Sequence, residues 1–290
     1  MPELPEVETV RSGLEKLVIG KEIELITHDW EKSFPNDTAL VSEFALKHTI
    51  TAVKRRAKVL LIELSSRYTL MTHLKMTGQL VFVGIERFGA GHPNESLIGH
   101  LPDKSTRVTI DFTDGSKLYF NDQRKFGWMK LLPNQLVEEE PFMQKVGPEP
   151  LDLAFTDAVF ANRLDRRKNT SIKAALLDQT VLAGVGNIYA DESLWGAKIH
   201  PGTLVKNVSK KQIKLLHHEL LNVLLLAIEK GGSTDRNYRN AEGKKGSYID
   251  FARVFRRENQ PCPRCKTTIE KTRIAGRGTH LCPSCQNANA

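Results

Sequence analysis

The chain has 290 residues, room for one large or two ordinary domains, and 40% of them are hydrophobic, enough for a packed core. No run of 18 apolar residues occurs and the N-terminus lacks the basic-then-apolar order of a signal peptide, so we expect a cytoplasmic protein without a transmembrane helix. The formal net charge of +8 favours a polyanionic partner, either nucleic acid or an anionic membrane surface. Residues 236–277 hold twelve Lys/Arg and four Asp/Glu, an excess as large as that of the whole chain.

The first eight residues, Met-Pro-Glu-Leu-Pro-Glu-Val-Glu, carry the first chemical signal. Removal of Met1 would leave Pro2 with a free secondary amine, and because α-amino groups titrate near pH ~8, a useful fraction would be a neutral nucleophile. Glu3 and Glu6 would supply two carboxylates for proton transfer. The same residues also fit a plain helix start, with Pro5 in the first turn and acidic residues at its positive end. An apolar helical stripe follows, formed by Val7, Val10, Leu14 and Leu17.

Residues 22–132 are predicted to form mainly β-strands, because short apolar and β-branched runs alternate there with turn signals. Asp114-Gly115 predicts a hairpin turn, and the many short strands indicate an antiparallel sandwich. The predicted strands are 22–27, 51–64, 68–73, 78–83, 107–112, 116–122 and 126–132. Residues 84–105 hold Gly, Pro, Asn and His without periodicity and are predicted to form a long surface loop.

Residues 134–150 are polar and punctuated by proline and glycine, which makes them the best linker candidate. Helical periodicity follows and predicts helices over 156–166, 171–180, 187–197 and 210–230. The last is the clearest, because Ser209 and Gln212 form a predicted capping box and Gly231 ends the pattern. Its apolar stripe comprises Ile213, Leu216, Leu220, Val223 and Ala227.

The four cysteines form two Cys-x-x-Cys pairs separated by 16 residues: Cys262, Cys265, Cys282 and Cys285. In a cytosolic chain such pairs indicate metal rather than disulfides. Four thiolates at this spacing suit one tetrahedral structural zinc, which would substitute for a core too small to hold itself. A redox pair or an iron–sulfur site is the alternative.

Four further positions carry chemistry but also have ordinary structural interpretations. Glycines flank Arg277, so its guanidinium could point outward to phosphate or simply be exposed in a turn. Asn187 follows Gly184-x-Gly186 and could cap a phosphate-binding helix, or the string could be a plain interhelix turn. Lys58 at the start of an apolar run could be a strand-edge lysine, and Met76 could be a core residue.

The N-terminal string Pro-Glu-Leu-Pro-Glu-Val-Glu-Thr resembles the start of the bacterial formamidopyrimidine-DNA glycosylase family, base-excision enzymes for oxidised purines. The strings around Lys58, Asn187 and Arg277 are similar to family strings as well, so the resemblance covers nearly the whole chain. It implies an α+β fold in two domains: an N-terminal helix plus antiparallel β-sandwich, then a helical domain with a helix–two-turns–helix motif and a four-cysteine zinc finger. The expected division is a catalytic sandwich domain at 1–133, a linker at 134–150, a helical DNA-binding domain at 151–235, and a lesion-side loop with the zinc finger at 236–290.

The resemblance implies a bifunctional DNA glycosylase and abasic-site lyase. It would flip an oxidised purine, such as 8-oxoguanine or a formamidopyrimidine, out of duplex DNA. Pro2 would form a Schiff base at the sugar, and β- and δ-elimination would follow. The implied partner is double-stranded DNA with an oxidised base. A monomer in the cytoplasm, associated with the nucleoid and with no membrane contact, is expected.

Residue roles follow from the matching motifs. The implied catalytic set comprises Pro2, Glu3, Glu6, Lys58 and Arg277, with Arg277 gripping phosphates beside the lesion. His73 and Asn187 match phosphate contacts, and Lys173 matches a lysine near the damaged nucleotide. Three residues match those that fill the gap left by an extruded nucleotide: Met76, Arg124 and Phe126. Their chemistry suits that role, because an apolar side chain can wedge between bases, a guanidinium can bond the edge of the orphan base, and an aromatic ring can stack on a base.

Departures from the family pattern are few. The usual Asn-Asp-Pro-Arg-Arg-Phe-Gly contains Gln123 and Lys125 here, and Phe255 and Asn259 stand where Tyr and Gly are usual before the first knuckle. Residues 84–105 are longer than the usual connection. Two rivals remain, an endonuclease VIII-type glycosylase for oxidised pyrimidines and a zinc-ribbon DNA-binding protein without catalysis.

Overall fold

A computed structural model describes residues 2–92, 94–233 and 248–287. Its described residues separate into two compact units, one formed by 2–144 with 231–233 and the other by 145–230 with 248–287. Among these residues no helix is long and apolar enough to cross a membrane. Most of the 232–250 loop that the resemblance places beside the lesion lies outside the described residues.

The first unit is a two-sheet sandwich with a helix at its N-terminus, which confirms the predicted fold class. All neighbouring strands are antiparallel, and the sheet orders are β1-β7-β8-β5-β6 and β2-β3-β4-β9. Side chains from both sheets share one apolar core with the first helix. The elements are α1 (Leu4–Val18), β1 (Ile23–His28), α2 (Thr38–Phe44), β2 (Ile50–Arg56), β3 (Val59–Leu64), β4 (Tyr68–His73), β5 (Gly78–Val83), β6 (Arg87–Gly91), β7 (Thr106–Phe112), β8 (Lys117–Asp122), β9 (Trp128–Pro133) and α3 (Pro141–Lys145).

Helix α1 begins as its sequence predicts. Glu3 is the N-cap, Pro5 lies in the first turn, and Glu3 and Glu6 form a reciprocal capping box. The stripe residues Val7, Val10 and Leu14 are fully buried in the sandwich core. The N-terminal residues are therefore attached to a helix that the core holds firmly.

Two sequence predictions in this unit are wrong. The predicted strand 51–64 is two strands, because Ala57 adopts a left-handed φ of 55° and reverses the chain between β2 and β3. Residues 84–105 are not an irregular loop throughout, since β6 pairs with β5 and a 3₁₀ turn spans Glu95–Leu97. The sequence did not reveal β6, because glycines interrupt the alternation of buried and exposed side chains that is typical of a strand. Phe88 and Ala90 are its buried side chains. The hairpin at Asp114-Gly115 is confirmed, with Gly115 at φ 82°.

The second unit is helical with a small hairpin at its end. Its elements are α4 (Asp157–Asp165), α5 (Ile172–Leu177), α6 (Asn187–Gly196), α7 (Lys210–Glu229), β10 (Glu270–Ile274) and β11 (Arg277–Leu281). The capping box of α7 is present, and Gly231 follows its end at φ 74°. Helix α5 is shorter than predicted because Asp178 leaves the helical region. Residues 134–150 hold a 3₁₀ turn and α3, and Val137 and Met143 are buried in an apolar cluster of the first unit.

Candidate active site

The N-terminal cluster brings Pro2, Glu3 and Glu6 together in a buried position. Pro2 is buried, and Glu3 and Glu6 are only 4% and 6% exposed. One Glu6 oxygen accepts the backbone N–H of Glu3 at 2.8 Å, and the other accepts that of Ser233 at 2.7 Å. Glu6 therefore fixes the backbone beside Pro2 and joins it to the chain that follows α7. Gly232, at φ 81°, makes that approach possible, since a Cβ there would lie 3.0 Å from the Glu6 carboxylate.

Lys58 lies at the tight turn between β2 and β3 and is 6% exposed. The turn is tied to α1, because Arg55 bonds the Ala57 carbonyl oxygen and the Glu8 carboxylate, both at 2.9 Å. This linkage holds the lysine-bearing turn against the helix that carries Pro2. Sequence reasoning missed Arg55 and Glu8, because each looks like an ordinary surface charge until the pairing is seen.

His73, at the end of β4, is buried and near enough to Lys58 for the lysine charge to act on it. Its Nδ1 accepts the backbone N–H of Lys75 at 3.0 Å, so in the neutral ring the proton resides on Nε2. Burial first, and then the charges of Lys75 and Lys58, lower the pKa of His73 to about 3. The imidazole is therefore neutral at physiological pH and can offer one N–H donor rather than a cation.

The depressed pKa of His73 makes an acid-sensitivity prediction. The folded protein binds this proton only near pH 3 whereas an unfolded histidine binds it near pH 6.5, so stability is complete above pH 6.5 and falls as the pH drops. Through this residue, the wild-type protein should lose roughly 2 kcal/mol of its free energy of unfolding between pH 7 and pH 5. His73→Gln should lack this part of the loss. Denaturant unfolding at the two pH values measures this. His28→Gln, at an exposed histidine of the same unit, is the control, and equal pH responses of the two variants would contradict the prediction.

Met76, Arg124 and Phe126 meet on one exposed surface of the first unit. Met76 is 39% and Phe126 51% exposed, and the Arg124 guanidinium lies 4.8 Å from the Phe126 ring centre and 3.1 Å from the Met76 sulfur. Asp122 holds the turn beneath them by accepting hydrogen bonds from Thr77 and from the backbone of Arg124, Phe126 and Gly127. The wedge candidates are thus on a rigid support.

In the second unit, Lys173 is buried with its ammonium fully engaged. Its Nζ lies 2.6 Å from an Asp191 oxygen and donates to the Gly278 carbonyl oxygen at 3.0 Å and the Thr279 hydroxyl at 2.7 Å. Asp191 also accepts the backbone N–H of His280 at 2.9 Å. This buried ion pair fastens the β10–β11 hairpin to α5 and α6 and leaves Lys173 no exposed charge for DNA. The arrangement favours a positioning role for Lys173 over a phosphate contact.

Arg277 projects from this fastened hairpin. Ala275 and Gly276 form the tight turn with φ of 50° and 72°, and the Arg277 side chain is exposed at the start of β11. Asn187 does not cap α6 as predicted, because its Nδ2 donates to the Gly278 carbonyl oxygen at 2.9 Å while Gly186 is the N-cap. Lys173, Asn187 and Asp191 therefore fix the strand that carries Arg277.

Two adjacent acids of α6 were missed by sequence reasoning. Asp191 holds the hairpin, and Glu192 accepts backbone N–H groups of Arg253, Val254 and Phe255 at 2.8–2.9 Å. Burial raises the pKa of Glu192, although these hydrogen bonds oppose the effect. The available signal was a pair of carboxylates within an otherwise apolar helix.

The four cysteine sulfurs lie within 4.8 Å of one another, with separations of 4.0 Å for Cys262–Cys285 and 3.4 Å for Cys265–Cys282. A tetrahedral zinc with sulfur ligands at about 2.3 Å requires sulfur separations of about 3.8 Å, so the cluster fits that ion. The Trp195 indole N–H donates to Cys262 Sγ at 3.4 Å, a contact that orients a thiolate ligand. Four protein ligands leave no open position, which indicates a structural site.

Comparison with known proteins agrees with this geometry. Family models match at residues 1–129 (formamidopyrimidine-DNA glycosylase N-terminal domain), 146–238 (the H2TH domain of the same enzymes) and 259–288 (zinc finger found in FPG and IleRS). The chain belongs to the formamidopyrimidine-DNA glycosylase family. Proteins of that name from Ligilactobacillus salivarius and Geobacillus kaustophilus are 42% and 43% identical to it, over 99% of this chain and 99% and 100% of theirs.

Solved glycosylase structures resemble the whole chain as well. The Lactococcus lactis Fpg in complex with abasic-site DNA superposes with a TM-score of 0.86 at 34% identity, over 98% of this chain and 99% of that one. MutM (Fpg) from Thermus thermophilus gives 0.83 at 36% identity, over 98% of each chain. The resemblance drawn from short motifs is thereby confirmed at full length.

Loss of one thiolate should remove the metal. We expect Cys282→Ser to lower zinc from one ion per chain to none and to weaken DNA binding at the same time, because the Arg277 hairpin adjoins the knuckles. Elemental analysis and a DNA titration measure both effects. Ser284→Ala, in the same knuckle but outside the sulfur cluster, should keep the metal. Zinc-free wild-type protein with full DNA affinity would refute the assignment.

Proposed function

We propose that this chain is a bifunctional DNA glycosylase and abasic-site lyase that excises oxidised purines in base excision repair. The observation that carries the proposal is the buried Pro2 at the start of α1, beside Glu3 and a Glu6 carboxylate that binds the local backbone. Full-length similarity to formamidopyrimidine-DNA glycosylases supports it.

The reaction begins at the amine. The neutral Pro2 nitrogen attacks C1′ of the damaged nucleotide, the bond from C1′ to the base nitrogen breaks, and the base leaves with a proton. Opening of the sugar gives an iminium, which acidifies the C2′ protons, so that β-elimination expels the 3′ phosphate and δ-elimination then expels the 5′ phosphate. Water finally hydrolyses the iminium, which breaks the bond between Pro2 and C1′ and releases the sugar remnant as an aldehyde. Glu3 transfers protons at the sugar, Glu6 holds the backbone of the nucleophile, and Lys58 supplies electrostatic stabilisation.

Binding is assigned to separate residues. Met76, Arg124 and Phe126 fill the space left by the flipped nucleotide, a role that suits an exposed apolar, cationic and aromatic group on a rigid turn. Arg277 grips phosphate, His73 donates its Nε2–H to phosphate, and Asn187 and Lys173 hold the hairpin that presents Arg277. One zinc shapes the same hairpin, bound by Cys262, Cys265, Cys282 and Cys285. The protein acts as a cytoplasmic monomer on nucleoid DNA.

Borohydride trapping on duplexes with different lesions tests the proposal. Wild-type protein should form a covalent adduct with 8-oxoguanine DNA, because the reductant converts the iminium into a stable amine. The adduct should map to the N-terminal peptide and exceed that formed on thymine-glycol DNA. A preference for thymine glycol would favour the endonuclease VIII-type alternative. Tight lesion binding without any adduct would favour a non-catalytic zinc-ribbon protein.

A further inference from the structure

Trp30 and Lys125 form a second exposed cation–aromatic pair beside the wedge residues. The Lys125 ammonium lies 4.6 Å from the centre of the Trp30 ring, and Trp30 is 36% exposed. Lys125 stands between Arg124 and Phe126 in the chain, so the pair extends the surface on which those two side chains lie. The two sites belong to the same unit and share one turn.

The backbone directs Lys125 to this position. Its φ of 57° is left-handed, an unfavourable conformation for a lysine that the hydrogen bonds of Asp122 to the neighbouring residues impose. The turn therefore sends the Lys125 side chain toward Trp30, whereas the Arg124 guanidinium lies by Phe126 and Met76. The turn therefore fixes the direction in which the Lys125 side chain leaves the backbone.

Trp30 is held just as firmly. The Asp29 N–H donates to the Arg107 carbonyl oxygen at 3.1 Å, and the Asp29 carboxylate pairs with the Arg107 guanidinium. On its other side the Ser33 N–H donates to the Trp30 carbonyl oxygen at 2.9 Å, and Phe34 is buried in the core. An exposed indole on a fixed segment is an available contact surface rather than a loose side chain.

The charge of this pair is not neutralised. In the part of the chain that the structure describes, Lys125 makes no ion pair. Two acids of the adjoining segments are engaged elsewhere, Asp29 by Arg107 and Asp122 by backbone N–H groups. The pair thus offers a cation and an aromatic face, which suit the phosphate and the sugar of a nucleic-acid backbone.

We propose that Trp30 and Lys125 form a binding subsite for the sugar–phosphate backbone of the strand opposite the lesion. The inference rests on the proposed function, in which Arg124 fills the space left by the flipped nucleotide and therefore faces the orphan base of that strand. Lys125 then contacts the phosphate flanking that base, and Trp30 packs on the adjoining sugar.

Salt-dependent binding to lesion DNA tests the subsite. Lys125→Asn removes the charge and suits the left-handed backbone, because asparagine tolerates that conformation. It should weaken binding roughly three- to tenfold and reduce the slope of log K against log salt by about 0.9. Lys16→Met, at an exposed lysine of α1, is the matched control. Trp30→Ala should weaken binding without changing the slope of log K against log salt. Trp30→Phe keeps an aromatic ring and should retain most of the wild-type affinity, which separates loss of the contact from poor folding of the alanine variant.

Neutral methylphosphonate linkages identify the strand. Placed beside the orphan base, they should abolish the difference between wild type and Lys125→Asn, since the contact is already lost. Placed in the lesion strand, they should leave that difference intact. A Lys125→Asn variant that binds like Lys16→Met would overturn the subsite, and loss of the difference with lesion-strand linkages would overturn the strand assignment. Failure of the proposed chemistry would appear instead as wild-type protein that binds but forms no borohydride adduct.

Discussion

A form of the protein with a residue in front of Pro2 should form no borohydride-trapped adduct with 8-oxoguanine DNA, however well it binds. The Pro2 nitrogen would then be an amide, whose lone pair is delocalised into the carbonyl group, and an amide cannot form an iminium. Turnover should fall to background while the fold is unchanged.

The measurement contains its own control. An N-terminal tag that a protease removes immediately before Pro2 should give inactive protein before cleavage and active protein after it. Thermal unfolding and zinc content should be equal in the two forms. Pro2→Gly should keep some reaction, because a primary amine remains, although a weaker one. Full lyase activity in verified, uncleaved protein would exclude Pro2 as the nucleophile.

Two substitutions should separate the catalytic step from DNA binding, Glu3→Gln and Arg277→Ala. Glutamine is nearly isosteric at this buried N-cap, so Glu3→Gln should bind lesion DNA with little loss while single-turnover excision falls about 10²–10⁴-fold. Arg277→Ala should weaken binding to damaged and undamaged DNA alike and flatten the salt dependence by about one phosphate contact.

Arg277→Lys is the matched control for the second variant, since it retains the charge but loses the planar fork. It should recover the salt slope and only part of the affinity. The opposite pattern for Glu3, lost affinity with a normal cleavage rate at saturation, would make it a helix-end carboxylate. Glu3 would then have the ordinary structural role that its N-cap position also allows.

The local signals in the sequence predicted the fold well where one element carries its own pattern. The α1 stripe, the α7 capping box and the Asp114-Gly115 turn depend on near neighbours, and the structure confirms each. The errors arose where distant residues decide the outcome. Asn187 bonds the Gly278 carbonyl group instead of capping α6. The ion pair of Lys173 with Asp191 was not foreseen, because Asp191 is not a sequence neighbour of Lys173. The buried cluster at Pro2, Glu3 and Glu6 was predictable as a motif, but the bond from Ser233 was not.

Strand β6 has a consequence for attempts to shorten this protein. It forms the edge of the five-stranded sheet next to β5, and its Phe88 ring covers Gly13 of α1 so closely that an added Cβ would lie 2.0 Å from it. Deleting residues 84–105 as a dispensable insertion would expose a new sheet edge and open a cavity under the helix that begins beside the amine. What looks like an accessory segment in the sequence thus packs against the helix that follows Pro2. A minimal version of this enzyme would need a bulky side chain in place of Gly13 to replace the missing ring.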